Sequence, residues 1–235
     1  MRIPTIKGVI DRRILINFTA DPAVVAAILP PPFRPKLYQN RALVGICLIR
    51  LKNIKPKGFP SFMGLSSENG AHRIAIEWEE NGQVKEGVFV PRRDTSLKLN
   101  ACVGGRLFPG KHYLANFKVQ EADGKYAVNL LSADGTTVAI AAAESAAFEA
   151  NSIFGTLENA SGFFERGEVG YSPNGAKFDG LRLQTKQWLV KPLRVSQVQS
   201  SFFENESIFP KGSVKFDNAL LMTKIEHEWH SVASK

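Results

Sequence analysis

The alternation of apolar and polar positions along this chain is mostly that of β strands. Segments 73–80 and 83–90 flank Asn81-Gly82, segments 113–121 and 125–131 flank Asp123-Gly124, and Asp134-Gly135 leads into 136–148. Asn-Gly and Asp-Gly are favoured in tight hairpins because both central residues need a positive φ, so the middle of the chain reads as an antiparallel sheet. Residues 42–51 are apolar and β-branched enough for a buried strand. Residues 181–203 read as one or two strands broken near Pro192, and 219–229 as a closing strand. The period of two places Leu221, Thr223, Ile225, His227 and Trp229 on one face of that last strand.

Short helices interrupt the strands. Asp21 is a cap acceptor followed by Pro22 at the first helical position, with Val24, Val25, Ile28 and Leu29 on one side and Pro30-Pro31-Pro32 as the stop. Thr95 can cap a second helix carrying Leu97, Ala101, Gly104 and Phe108. Thr156 opens a third with Leu157, Ala160 and Phe164, ended by Gly167. Residues 55–70, rich in Pro, Gly and Ser, read as a long loop of the kind that often carries function.

Composition narrows the picture. The 235 residues show no linker, so one domain over 1–235 is expected, large enough to bury a core without crosslinks. Cys47 and Cys102 lie in apolar segments without ligand spacing and read as free buried thiols, which suits a reducing cytoplasm. No leader or membrane-spanning run is evident, and the protein is expected to be cytoplasmic and off the membrane. The net charge of +8 is scattered, with no zinc-finger or RNA-binding signature, so no nucleic-acid partner is expected. Apolar residues in hairpins and in Phe59-Pro60-Ser61-Phe62-Met63 exceed what one domain covers, which predicts a homo-oligomer, a dimer or higher.

Candidate chemistry gathers in Val103-Gly-Gly-Arg-Leu-Phe-Pro-Gly-Lys-His-Tyr-Leu-Ala115, where Lys111, His112 and Tyr113 begin a strand. Lys111 shares parity with the apolar Tyr113, Ala115, Phe117 and Val119, whereas His112 shares a face with Leu114, Asn116 and Lys118. If the apolar face lines the interior cavity, Lys111 points inward; if the polar face does, His112 lines it. Arg92 and Arg93 end a strand, where an inward guanidinium could clamp a carboxylate, Asp94 being the competing surface partner. His227 reads as a wall or core histidine. The His227-Glu-Trp-His230 run lacks metal spacing on a strand, so no metal and no cofactor is expected.

With Asp11–Phe33, Gly64–Gly70 and Val90–Thr95 added to Val103–Ala115, the chain resembles the acetoacetate decarboxylase superfamily. It looks most like an uncharacterised branch known as a domain of unknown function. The resemblance implies a mainly β (α+β) fold of antiparallel strands curled into a cone or barrel, with two or three short helices and a cavity for an organic acid or carbonyl compound. In the decarboxylases a lysine with a depressed pKa forms a Schiff base there. Here the family's Pro-Lys-Lys falls on Lys111-His112-Tyr113, placing His112 at the lysine's position, and a slip of one residue would restore Lys111. Glu68 matches a loop glutamate of the decarboxylases, and Arg12 lies one position from an arginine of their opening strand. The resemblance therefore implies a lyase using Lys111 or His112 with Glu68, and Arg12, Arg92, Arg93, Tyr113 and His227 as ligand contacts. A binding protein of the same fold without chemistry is the alternative.

Overall fold

A computed structural model of the chain describes residues 5–103 and 109–235, the side chains of residues 100, 102 and 103 excepted. In chain order the elements are β1 (Ile6–Ala20), α1 (Pro22–Ile28), β2 (Arg34–Pro35), β3 (Leu37–Tyr38) and β4 (Arg41–Pro56). After a single 3-10 turn at Ser61–Met63 come β5 (Leu65–Glu80), β6 (Gln83–Thr95), α2 (Lys98–Val103), β7 (His112–Ala122), β8 (Lys125–Ser132) and β9 (Thr137–Glu144). The last third holds α3 (Leu157–Glu165), β10 (Val169–Asn174), β11 (Lys177–Thr185), β12 (Lys191–Ser200) and β13 (Val214–Val232).

The strands join in one 13-stranded sheet, twelve of them along the path β11-β10-β6-β7-β8-β9-β12-β13-β1-β4-β5-β2 and β3 beside β4 off it, with further pairings β5–β6 and β11–β13. Pairing is antiparallel, as expected, except at β6–β7 and β6–β10, which are parallel and make the sheet mixed. The predicted hairpin turns are present, with Asn81, Gly82, Asp123 and Gly124 all at positive φ. Asp21 caps α1 by accepting from the Ala23 N–H, and Thr156 caps α3 by accepting from the Asn159 N–H. Among the described residues no helix is long and apolar enough to cross a membrane.

Each long strand serves two faces. On one, Ile14, Ile16, Val44, Ile46, Leu48, Ile74 and Ile76 pack with Ala115, Val128, Leu130 and the rings of Phe33, Trp78, Phe89, Phe203 and Phe209. On the other, Ile10, Leu15, Cys47, Leu51, Ile54 and Ala75 meet Phe154, Phe163, Phe164, Met222 and Ile225. The 55–70 segment is not a long loop. β4 runs to Pro56 and β5 starts at Leu65, because Leu51, Arg50 and Ile49 pair with Ser67, Glu68 and Asn69 and so satisfy a backbone whose side chains alone favour turns. The break in 181–203 falls between β11 and β12, and Pro192 sits inside β12 opposite Leu220.

The closing strand does not keep one face. Lys224 adopts φ 55, and the step it introduces puts Leu221 in the first cluster but Ile225 in the second. Cys47 is a free buried thiol. The Cys102 side chain, Gly104 and Phe108 lie outside what is described.

Candidate functional site

A cavity of about 300 Å³ opens on the second face of the sheet. One row of backbone partners crosses its wall: His112 pairs with Arg93, Arg93 with Ala71, Ala71 with Cys47, and Cys47 with Leu15. Arg73, opposite Gly45, stands one step to one side of this row. Arg13, Ile49 and Asn69 form the next row on the other.

Local irregularities aim these side chains. On β6, Val90 and Pro91 oppose the single residue Arg73, a bulge where proline offers no N–H to lose. Val88, Val90 and Arg93 therefore all face the cavity, whereas strict alternation would send Arg93 into the core with Phe89. On β1 the pairing to β4 shifts between Ile10 and Arg12, so that Ile10 and Arg13 share the cavity wall. At Gly45 an added Cβ would lie 2.3 Å from the Ile16 carbonyl oxygen and 3.3 Å from an Arg73 terminal nitrogen. Glycine there lets the Arg73 guanidinium lie down on the strand.

Three guanidinium groups thus face one space, and their partners are neutral. Arg73, 4% exposed, donates to the Asn17 side-chain oxygen and lies 4.8 Å over the Phe164 ring. Asn17 donates onward to Asn218 at 2.7 Å, and Asn218 to Asp217 at 2.6 Å. Arg93 Nε donates to Ser172 Oγ at 3.1 Å. Arg13 points a terminal nitrogen at Cys47 Sγ, 3.6 Å away. The Nε atoms of Arg13 and Arg73 are buried without a hydrogen-bond partner. None of the three forms an ion pair among the described residues. Asp94 also lines the cavity, but both its oxygens accept from Arg92, at 2.7 and 2.9 Å.

Burial lowers the Arg93 pKa to about 10 and lowers that of Arg73 as well. The His112 imidazole is pushed down to about 4 by burial and by neighbouring Arg93, and is neutral at pH 7. Its Nδ1 lies 3.2 Å from the Gly110 carbonyl oxygen, which can only accept. A neutral ring meets that carbonyl by donating from Nδ1. Burial alone would raise the Cys47 thiol, but Arg13 and Arg73 outweigh it and lower its pKa.

The other predicted residues are elsewhere. Lys111 is exposed, its ammonium 4.7 Å over the Tyr113 ring, and it is not on the cavity wall. The apolar face of β7 that it shares packs into the core through Ala115, Phe117 and Val119, so the cavity lies on the polar side with His112. Tyr113 turns to the core side, where the Arg92 guanidinium lies 4.2 Å over its ring. Arg92 is held by Asp94, Asp134 and Ser132. Burial opposes its charge, but the two carboxylates outweigh burial and raise its pKa.

Glu68 and Arg12 meet each other outside the cavity. Glu68 accepts from Arg12 at 2.6 Å and from Arg50 at 2.6 Å, and Glu121 closes the square by accepting from both arginines. His227 is buried with its ring centroid 4.5 Å from that of Trp229, and it is not on the wall. Among the described residues no group of three His, Cys, Asp or Glu side chains is placed to hold a metal ion.

The sequence does not mark Arg13 or Arg73 as site residues, and marks Cys47 only as a buried thiol. A signal for Arg73 exists in hindsight of the parity: it stands between Ala71 and Ala75, small apolar residues on the same face. Nothing in the sequence announced the bulge that turns Arg13 rather than Arg12 inward.

The fold is that of the acetoacetate decarboxylase-like proteins. The solved acetoacetate decarboxylase of Legionella pneumophila is similar with a TM-score of 0.61 at 15% identity, over 98% of this chain and 88% of that one. An acetoacetate decarboxylase-like enzyme of Sphingomonas wittichii gives 0.59 at 10% identity, over 98% and 91%. The enduracididine biosynthesis enzyme MppR, complexed with pyruvate, gives 0.56 at 7% identity, over 98% and 88%. Within that class, residues 10–222 match the profile of DUF2071, described as an uncharacterized conserved protein, and the chain belongs to that family. No curated protein matches by sequence.

Proposed function

We propose that this cavity binds a small organic acid bearing a carbonyl group and that the protein acts on it as a lyase. The carrying observation is the set of three guanidinium groups, Arg13, Arg73 and Arg93, turned into one space with no carboxylate partner among the described residues. Buried cations without counter-ions are costly, and an incoming carboxylate offers the missing charge and paired hydrogen bonds. The bound pyruvate of MppR supports a 2-oxo acid as the first probe. In this reading the arginines hold the carboxylate, and the neutral His112 imidazole accepts a proton from the carbon beside the carbonyl. Lys111 takes no part, its exposure supporting chemistry without an imine at that residue. Cys47 is a further wall residue beside the head of the ligand.

The second reading is binding without chemistry, favoured by Lys111 standing off the wall and by Glu68 being occupied with Arg12 and Arg50. Three further features belong to the same proposal. The pairings β5–β6 and β11–β13 support a sheet curled barrel-like around the cavity, the exposed Phe59, Phe62 and Met63 support a homo-oligomer, and the free thiol of Cys47 supports a cytoplasmic setting.

Calorimetric titration with pyruvate, and loss of its methyl proton signal in heavy water, test both readings. Arg93→Met is expected to weaken binding at least tenfold, since a charge-assisted hydrogen bond contributes about 1.5–3 kcal/mol. His112→Gln is expected to bind but not to catalyse exchange. Binding with no exchange in the unaltered protein leaves the binding-only reading, and unchanged affinity in Arg93→Met removes both.

A further inference from the structure

The cavity wall changes character along its length. Its polar pole is the row of His112, Arg93 and Cys47, with Arg73 and Arg13 in the flanking rows. Moving along β4 from Cys47, the next wall positions are Ile49, then Leu51 beside Ile10, then Ile54 beside Leu65, and finally Pro56 beside Ile6. From Cys47 to Leu51 is four residues of strand, about 13 Å. The wall continues from Ile6 through Trp229 beside it, Leu183 beside Trp229, and Leu181.

Burial shows which end opens. Arg73 and Cys47 are 4% and 3% exposed, whereas Leu65 and Leu99 on the wall are 42% and 49% exposed. Two charged residues interrupt the apolar stretch. Lys55 donates its ammonium to Ser61 Oγ at 2.9 Å, and Glu168 is exposed at the rim. The inner end is cationic, and the run between it and the mouth is apolar apart from Asn69 and Ser67 beside Ile49 and Leu51. A short keto acid would satisfy the arginines but leave that run to water.

We infer that the ligand is an amphipathic organic anion, with its carboxylate among Arg13, Arg73 and Arg93 and an unbranched apolar body running toward Leu65 and Leu99. This rests on the carboxylate-binding reading above and adds the substrate class. A water molecule occupies about 30 Å³ of liquid, so a cavity of about 300 Å³ holds about ten non-hydrogen atoms. That is the size of an eight-carbon straight-chain acid.

The test is a calorimetric series on the full chain with acetate, butyrate, hexanoate, octanoate and dodecanoate, with 1-octanol as the uncharged control. Affinity is expected to rise about fourfold per added methylene up to octanoate, the gain of burying one methylene, and to stop rising by dodecanoate. Octanol is expected to bind at least tenfold more weakly than octanoate. Arg73→Met, and Arg93→Met should the first not fold, is expected to bring octanoate down to the level of octanol. Leu51→Asn is expected to flatten the series while leaving butyrate unchanged. Equal affinity from butyrate to octanoate would overturn the amphipathic ligand and leave the carboxylate site standing. Failure of every acid in the series, or octanol binding as tightly as octanoate, would overturn the carboxylate site as well.

Discussion

Glu68 shows how a residue of the right type near the right place can have another task. Its two oxygens take one arginine each, and Arg12, 2% exposed, depends on Glu68 and Glu121 for its compensation. A buried guanidinium that loses a partner loses more than the hydrogen bond, because its charge stays out of water. Glu121 and some solvent remain in reach, which limits the loss. Glu68→Gln is therefore expected to cost about 1–3 kcal/mol of stability, a fall of several degrees in Tm, and to leave ligand affinity within about twofold. Thermal melts and titrations on the same preparation decide it. Intact stability with lost affinity would put the Glu68 carboxylate back among the ligand contacts. Lys111 and Tyr113 are a similar case: adjacent to His112, yet paired with each other on the far side of the strand.

At the scale of elements, the hairpins, the caps at Asp21 and Thr156 and the closing strand were legible because each rests on local chemistry. What alternation could not supply was the set of bulges, since a bulge moves every later side chain to the other face without altering the pattern of residue types. That is why alternation alone does not tell that Arg13 rather than Arg12 faces the cavity, and why it groups Leu221 with Ile225. It is also why the apolar face of β7 could be taken for the cavity face: a strand's apolar side marks burial, and here the core claims it. Lys224, a non-glycine residue at φ 55, carries one such step. Left-handed backbone costs a side chain about 1 kcal/mol and a β-branched one more. Lys224→Gly is expected to raise the free energy of unfolding by about 0.5–1 kcal/mol, and Lys224→Val to lower it by at least as much. Equal effects from the two in urea titrations would mean that this backbone step is not the constraint.

For the whole molecule, acid sensitivity follows from its buried imidazoles. Burial, with Arg92 adding to it, brings His72 down to about 3, and burial with Arg93 brings His112 to about 4. Burial also brings His227 to about 4, Arg13 assisting and the backbone at Ile225 opposing. Each folded-state value lies below the unfolded value near 6.5, so the unfolded chain binds the protons first. The stabilisation is complete above about pH 6.5 and is lost as pH falls toward 4, at up to about 1.4 kcal/mol per pH unit for each histidine. Unfolding by urea between pH 7 and 4.5 is expected to show this slope above the range in which carboxylates titrate. His72→Phe should reduce the slope, and a stability flat from pH 7 to 4.5 would show that these rings are not held neutral.

β1, β4 and β5 each give side chains of one face to the first core and side chains of the other to the second face, where the cavity opens beside a smaller cluster. The first core and the cavity wall answer to separate demands, one to close packing and the other to whatever molecule enters. Divergence within such a lineage can rewrite the wall, charge by charge, while the core merely exchanges one hydrocarbon for another. A backbone of this kind can pass from one chemistry to the next through point changes on alternate positions of three strands, with no interval in which its core must be rebuilt.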